Sequence, residues 1–334
     1  MEFRLADATA LGSTERRLSI EDFRGDFDEI ARLIQQSWAQ NSQHLLYTPA
    51  FIASSFEYPE ASFSLAPTLY DGDKPIAFAA GFPRRLRFKG RELRAIVCTS
   101  LAVSNEHKKA GYGVILWNDL VRRARAAGYD AMVNYCVDGE PMNGMILGCC
   151  RAMKVPTERI FSVGYQMRLL QSKRISHSGL REKSEDAGAL LRTAAPLAEH
   201  IPLARIWTEQ EAKWQCGRHD GIVARHGSGT REGVLTGYLM EIGSSQRTKC
   251  LIIEDVLWGT LEPQERLPLV RQLLDQAVAA GAQMAIVPSL GYADMEPFSA
   301  ARFRRTPRVL HAYLSVFKGD PMPEAVSSMY LDVF

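Results

Sequence analysis

The segment from Lys108 to Gly113 combines two lysines with two glycines, a composition suited to binding phosphate groups. Glycines let a backbone curl closely around an anion, whose charge is then met by consecutive amide hydrogens and by the positive end of a helix dipole. The two lysines add local positive charge. The residues that we expect to contact a diphosphate are Lys108, Lys109, Ala110, Gly111, Tyr112 and Gly113.

The elements around this segment form one α/β unit that ends near Leu170. After a short strand at Arg17 to Phe23, three apolar runs separated by glycine-containing turns predict an antiparallel meander. Its last strand, Leu93 to Val103, is the fourth strand of the chain. Helical periodicity follows from Gly111 to Gly128, and the pattern of Ala131 to Cys136 predicts a fifth strand. Strand, helix and strand in this order imply a right-handed crossover. We therefore predict an α/β (α+β) fold with a mixed, mostly antiparallel sheet flanked by helices.

The length of 334 residues favours two domains, since a domain usually has roughly 100 to 200 residues. The stretch 171–186 is rich in Ser, Lys, Arg and Glu and lacks periodicity, so we predict a linker there, between domains at 1–170 and 187–334. The second half repeats the element order of the first. Ala126-Ala127-Gly128 recurs as Ala279-Ala280-Gly281, an offset of 279 minus 126, or 153 residues, which indicates two copies of one fold.

The composition excludes several classes of protein. Hydrophobic residues at 46% and charged residues at 23% are typical of a soluble globular protein. A net charge of +2 supplies no field to gather nucleic acid or an anionic membrane, and the six cysteines lack the paired spacing of a metal site. We expect no signal peptide, and no apolar run is long enough to span a membrane. We expect a cytoplasmic protein without nucleic-acid or membrane partners; its oligomeric state is left open.

In this context the segment resembles the signature of the GNAT superfamily of acyl-coenzyme A-dependent N-acyltransferases. The family motif is a basic residue or Gln, two variable positions, Gly, one variable position, and Gly or Ala, which Lys108, Gly111 and Gly113 match. The resemblance implies two tandem GNAT-like domains and acetyl-coenzyme A or another acyl-coenzyme A as the donor. It also implies that amides at the end of the fourth strand pair with the pantetheine arm, at Leu101, Ala102 and Val103.

A second family feature is a helix that begins with Asn and carries, seven residues on, a Tyr that protonates the departing thiolate. Asn143 matches the start, but Cys150 stands at the Tyr position, and Lys154 replaces the glycine expected near the helix end. The general acid is therefore open. The unperturbed pKa of a thiol, about 8.5, makes Cys150 a candidate, with a buried packing cysteine as the alternative.

Amide formation from a thioester needs a neutral, well-placed amine and donors for the developing oxyanion. The fourth strand contains no carboxylate, so candidates for recognising and deprotonating the amine move to nearby loops. Asp138 and Glu140 follow the fifth strand and could recognise a cationic amine, and Tyr135 could line the groove. The alternative interpretation is that Asp138 and Glu140 are ordinary loop acids in contact with solvent.

The second copy lacks the phosphate motif. A shift of 153 residues moves Lys108 to Gly113 onto Leu261 to Arg266, which contains two acids and a proline but no glycine. Such a turn is poor for a diphosphate, so we predict that this copy is degenerate.

The leading hypothesis is an enzyme that transfers an acetyl or other acyl group from coenzyme A to an amine of a small molecule. One alternative is a non-catalytic acyl-coenzyme A-binding protein, which the missing tyrosine and strand carboxylate favour. Another is a Fem-like aminoacyl transferase, which the near-neutral charge and the intact loop disfavour.

Overall fold

The computed structural model describes residues 18–39, 44–171, 183–228, 231–243 and 247–333. The elements of the first half are β1 (Leu18–Asp22), α1 (Phe27–Trp38), β2 (His44–Leu46), α2 (Pro49–Phe56), β3 (Pro67–Asp71), β4 (Lys74–Phe88), β5 (Arg91–Val103), α3 (Tyr112–Ala126), β6 (Ala131–Val137), α4 (Met142–Ala152) and β7 (Thr157–Leu169). Those of the second half are α5 (Lys183–His200), β8 (Leu203–Ile206), α6 (Glu209–Gly217), β9 (Gly221–Ser228), β10 (Arg231–Gly243), β11 (Arg247–Leu257), α7 (Pro263–Ala279), β12 (Met284–Ser289), α8 (Glu296–Ala300), β13 (Arg304–Val316) and β14 (Met329–Tyr330).

Two short elements differ from the sequence pattern. The segment between Thr48 and Pro59 lacks clear periodicity, but it contains α2, because the Thr48 hydroxyl accepts a hydrogen bond from the Phe51 amide at 3.1 Å and Pro49 opens the helix. In the second half, the sequence pattern predicts helical structure from Ala187 to Trp214, but β8 interrupts the helices there. Of the predicted linker at 171–186, residues 183–186 are helical and 172–182 lie outside the described residues.

The strands form a single sheet in the order β1-β3-β4-β5-β6-β13-β7-β12-β11-β10-β2, with β8, β9 and β14 attached to the side. Parallel pairing joins β5 to β6, β11 to β12 and β8 to β14, while the other strand pairs are antiparallel. The prediction of a mixed, mostly antiparallel sheet flanked by helices is thus confirmed.

The two halves exchange strands. β13 of the second half lies between β6 and β7 of the first, and β7 in turn pairs with β12 of the second half. The short strands are exchanged as well, because β2 pairs with β10 and β8 pairs with β4. The tandem copies therefore share one sheet rather than each closing its own.

Helices cover both faces of this sheet. Alternate residues of β4 divide between two apolar clusters: Phe78 and Ala80 pack with α1, whereas Ala77 and Ala79 pack with α3. The same cluster contains Tyr238 of β10, whose ring lies 5.6 Å from that of Phe51 in α2, so a first-half helix contacts a second-half strand. None of the described helices is long and apolar enough to cross a membrane.

Candidate functional site

An opening between β5 and β6 is the central feature of the candidate site. The two strands pair in parallel from Ala95 with Ala131 to Cys98 with Asn134. Beyond that rung, β6 continues along β13 and β5 continues along β4. Within the described residues, the edge of β5 from position 99 to 103 has no neighbouring strand on the β6 side. The sheet thus opens at the carboxyl ends of these two strands.

A β-bulge causes β5 to diverge. Ser100 and Leu101 of β5 lie opposite Ala79 alone, and Ser100 has a φ of 58°. An inserted residue bends a strand and increases its twist, which separates β5 from its parallel neighbour. The predicted pantetheine edge, Leu101, Ala102 and Val103, lies at this bulge and directly after it.

The amide of Val103 points into the opening. It donates to the Ser37 hydroxyl of α1 at 3.3 Å, whereas the next amide, that of Ser104, donates to the Ile76 carbonyl of β4 at 2.8 Å. Successive amides of a strand point to opposite edges. The alternation therefore places the Val103 amide, with its weak and exchangeable bond, where a ligand's amide arm could pair.

The predicted phosphate loop meets this edge at the start of α3. Gly111 has a φ of 80° and precedes the helix without any side-chain capping bond, so amides of the first turn lack a side-chain acceptor. A Cβ added at Gly113 would lie 3.6 Å from Val103 Cγ2 and 3.9 Å from Leu101 Cδ2. The start of α3 and the free edge of β5 therefore adjoin.

Basic residues of the loop have two different environments. Lys108 Nζ donates to the carbonyl of Ser37 at 3.0 Å, and Asn105 Nδ2 donates to that of Gln36 at 3.0 Å. These bonds fasten the loop to the C-terminal end of α1. Lys109, like Ala110 and Gly111, is exposed, and its φ of 77° continues the tight curl before the helix.

Asn143 ties the start of α4 to the end of β6. Its Nδ2 donates to the carbonyls of Val137 at 2.8 Å and Glu140 at 2.9 Å, and its Oδ1 accepts a hydrogen bond from the Tyr313 hydroxyl at 2.9 Å. The side chain thus positions α4 at the opening, with help from a tyrosine of the exchanged strand β13.

Cys150 lies inside the protein. It is 1% exposed, its sulfur lies 3.5 Å from the Ser315 hydroxyl, and burial raises the pKa of its thiol. A general acid must reach the departing thiolate, so this environment disfavours the acid role and fits the alternative of a packing cysteine.

The three other predicted residues have distinct surroundings. Tyr135 extends from β6 just past its last rung with β5 and donates to the carbonyl of Asp332 at 2.8 Å, and burial raises its pKa well above the usual value. Burial thus keeps the Tyr135 hydroxyl protonated. Glu140 is exposed. Asp138 accepts from His311 Nε2 at 2.9 Å, and this bond lowers the pKa of Asp138.

His311 is a polar residue that the sequence did not single out. It lies on β13, nearly buried, and its Nδ1 is 3.0 Å from the Ser162 hydroxyl of β7. It comes next to Asp138 only because β13 pairs with β6. No local spacing signals this contact, since the two residues are 173 positions apart.

The second half has a corresponding opening that its own side chains occupy. β11 and β12 pair in parallel only from Cys250 to Ile252. The amide of Val256, which corresponds to Val103 since 256 minus 103 is 153, donates to the Tyr292 hydroxyl at 3.1 Å. At the start of α7, Glu265 accepts from the Glu262 amide at 2.8 Å, so an acidic side chain already caps this helix. These contacts support the prediction that this copy is degenerate for a diphosphate.

Comparison with known proteins gives a consistent fold assignment. Residues 27–147 match the model of the acetyltransferase (GNAT) family. N-myristoyltransferase of Saccharomyces cerevisiae with bound myristoyl-CoA has a similar structure, with a TM-score of 0.69 and 11% identity over 94% of this chain and 86% of that one. A GCN5-related N-acetyltransferase from Kribbella flavida has a TM-score of 0.52 and 14% identity over 90% and 71% of the chains. No curated protein sequence matches significantly.

Proposed function

From a GNAT-superfamily fold whose residues 27–147 match the family model, we propose that this protein is an acyl-coenzyme A-dependent N-acyltransferase acting on an amine of a small molecule. One observation carries the proposal. The open edge of β5 adjoins the uncapped start of α3, so a single extended ligand can pair with the strand through its amide arm and place a diphosphate at the helix.

The site residues divide the work of such a transfer. Amides at the start of α3 hold the diphosphate, and the bulged end of β5 aligns the pantetheine so that the thioester lies in the opening. In this proposal Tyr135 lines the opening, and burial keeps its hydroxyl protonated. The amine nitrogen attacks the thioester carbonyl, the carbon–sulfur bond breaks, and a proton from the nitrogen passes to the thiolate. This route needs no acidic side chain at the position of Cys150.

The donor site is tested by a substitution at Gly111 with a matched control at Gly90. Both glycines have left-handed φ values, 80° and 77°, and a Cβ added at either meets no atom within 4 Å. Gly111→Glu places a carboxylate beside the diphosphate, so we expect the Kd for coenzyme A, measured by calorimetry, to rise at least about tenfold. Gly90→Glu imposes the same backbone strain in a distant turn and should leave the Kd unchanged. Equal effects of the two substitutions would reject the assignment.

Turnover identifies the reaction. The purified chain is assayed for thioester cleavage with acetyl-coenzyme A and with myristoyl-coenzyme A, the ligand of the similar yeast structure, against a panel of small primary amines. Amine-dependent release of the free thiol supports the transferase. Tight binding of coenzyme A without turnover would favour the second candidate, a non-catalytic acyl-coenzyme A-binding protein, for which the burial of Cys150 is the supporting observation.

A further inference from the structure

The second opening contains a carboxylate at the position of its bulge. Gly237 and Thr236 of β10 lie opposite Ile253 and Asp255, so Glu254 is the extra residue of β11. The offset of 153 residues places Glu254 at the position of Leu101, since 254 minus 101 is 153. The second half therefore repeats the bulge beside the opening but carries an acid where the first half has an apolar residue.

Glu254 and its neighbour Asp255 are buried carboxyl groups with neutral hydrogen-bond donors. Glu254 Oε2 accepts from Gln215 Nε2 at 2.5 Å, and Asp255 Oδ1 accepts from the Tyr330 hydroxyl at 2.7 Å. They are 8% and 2% exposed. Buried carboxylates are costly unless a cation or several donors compensate their charge.

The nearest guanidinium groups have other partners. Arg218 pairs with Asp220 at 2.9 Å, and Arg205 pairs with Asp332 at 3.4 Å. Arg218 also stacks 4.3 Å above the ring of Tyr238. Both arginines act on Glu254 only through their longer-range charge. Among the residues that the structure describes, no cationic side chain therefore pairs directly with the Glu254 carboxyl group.

Two orphaned polar atoms belong to side chains that interact with Glu254. Within the described residues, the Tyr238 hydroxyl and Gln215 Oε1 are buried without a hydrogen-bond partner, on side chains 1% and 3% exposed. Gln215 contacts Glu254 directly, and after burial the charge of Glu254 is the largest influence raising the pKa of Tyr238. Buried polar atoms are usually satisfied, so an unmet acceptor marks a place where a donor belongs.

We propose that Glu254, Gln215 Oε1 and the Tyr238 hydroxyl form a binding site for an ammonium group of the acceptor. An ammonium group has three donors, and these three side chains offer three acceptors, one of which is charged when Glu254 is ionised. A neutral ligand cannot compensate that charge. The proposal rests on the proposed function for its link to the acyl transfer, but not for the binding of a cation.

The position of the site suits an acceptor. Tyr238 belongs to the same apolar cluster as Ala102 at the open edge of β5. The rings of Tyr238 and Phe51 are 5.6 Å apart, and those of Phe51 and Tyr47 are 5.3 Å apart. Tyr47 in turn hydrogen-bonds to Ser100 in the first bulge. A row of packed aromatic side chains from α2 and its flank thus lies between Tyr238 and the bulge of β5. In this proposal the second copy supplies acceptor recognition where it has lost donor binding.

Methylammonium is a suitable probe of the site, because it presents an ammonium group with almost no other chemistry. Crystals of the full chain are soaked with methylammonium chloride, and binding in solution is followed by calorimetry, with methanol as the neutral control. We expect density whose nitrogen lies within hydrogen-bonding distance of Glu254, and no binding of methanol there. An ordered water alone at this position, or binding at crystal concentration only, would overturn the proposal.

Substitutions assign the binding to these residues. Glu254→Gln keeps the shape but removes the charge, so the Kd of methylammonium should rise about 10- to 100-fold, as for loss of a charge-assisted bond. Tyr238→Phe should cause a smaller loss. Glu232→Gln is the control, because Glu232 is similarly buried (4%) but pairs with Arg192 at 2.9 Å. An unchanged Kd in Glu254→Gln would exclude the site.

Different experimental outcomes would reject the proposed transferase activity and the proposed cation site. If no amine is acylated but methylammonium binds as described, the transferase is wrong and the cation site stands. If amines are acylated and Glu254→Gln leaves their KM unchanged, the cation site is wrong and the transferase stands. Affinity for coenzyme A should be the same in Glu254→Gln and in the unsubstituted protein.

Discussion

At the scale of single residues, burial and neighbouring charges shift the pKa values of Glu254 and Asp332 in opposite directions. Burial raises the pKa of Glu254 to about 7, reinforced by the charges of Asp332 and Asp255 and opposed by Arg218 and Arg205. Burial alone would also raise the pKa of Asp332, but Arg84 and Arg205 lower it to about 2. Asp332 is therefore a fixed anion, whereas the charge of Glu254 changes near neutral pH.

The raised pKa of Glu254 predicts a pH dependence of stability. Its ordinary value is 4.5, so between pH 4.5 and about 7 the folded protein holds a proton that the unfolded chain has lost. The contribution of Glu254 to the free energy of unfolding is thus fully present below pH 4.5 and falls as pH rises toward 7, by at most about 1.4 kcal/mol per pH unit. Urea unfolding at pH 5, 6 and 7 should show a flatter dependence in Glu254→Gln. Parallel curves for the two proteins would contradict this charge assignment.

The sequence predicts the residues of the phosphate loop but not those of the cation site. Lys108, Gly111 and Gly113 are close in sequence, so their spacing is informative. Glu254 stands inside an apolar run, where alternation predicts an ordinary strand, and its role depends on a bulge and on contacts with α6. Contacts between distant elements leave no local pattern.

At the scale of elements, the site depends on how the start of α3 meets the end of β5. Gly113 faces Val103 and Leu101 at ordinary contact distances, which agrees with a motif that accepts Gly or Ala at this position. The space between the start of α3 and the end of β5 therefore has room for one methyl group but not for a long side chain.

Substitutions at Gly113 should separate helix stability from ligand binding. Gly113→Ala should keep the affinity for coenzyme A and stabilise the helix by up to about 1 kcal/mol. Gly113→Leu should fill the space beside Val103 and raise the Kd, measured by calorimetry, at least about tenfold. Gly148→Leu is the size control, because Gly148 lies exposed on α4 with no atom within 4 Å of an added Cβ. Normal binding of coenzyme A by Gly113→Leu would show that the ligand does not occupy the space beside Val103.

Long, periodic elements are the ones that the sequence predicts well. Of the residues of α1 that the period places on one face, Ile30, Leu33 and Ile34 are buried and Trp38 is half-buried. By contrast α2 has eight residues and little amphipathic contrast, although Thr48 followed by Pro49 is a start signal that could have identified it. β8 has only four residues and gains its stability from pairing with β4, which no local pattern reveals.

At the scale of the whole molecule, exchange of strands makes each half structurally dependent on the other. The offset of 153 residues indicates two copies of one fold, but periodicity does not specify which strand pairs with which. Val133 of β6 packs with Leu314 of β13 in one apolar cluster that also contains Leu331 near the end of the described chain. Site residues follow the same exchange, since Asn143 is held by Tyr313 and Asp138 by His311.

Division of the chain should therefore abolish folding of each part and allow folding of the pair. Without β13, a fragment of residues 1–171 would expose the edges of both β6 and β7, and a fragment of residues 183–334 would expose those of β12 and β13. Exposed strand edges and uncovered apolar faces favour aggregation. Expressed alone, neither fragment should show a cooperative thermal transition. Expressed together, they should co-purify as a one-to-one complex that binds coenzyme A. A fragment 1–171 that unfolds cooperatively and binds coenzyme A by itself would show that the exchanged strands are not required for the donor site.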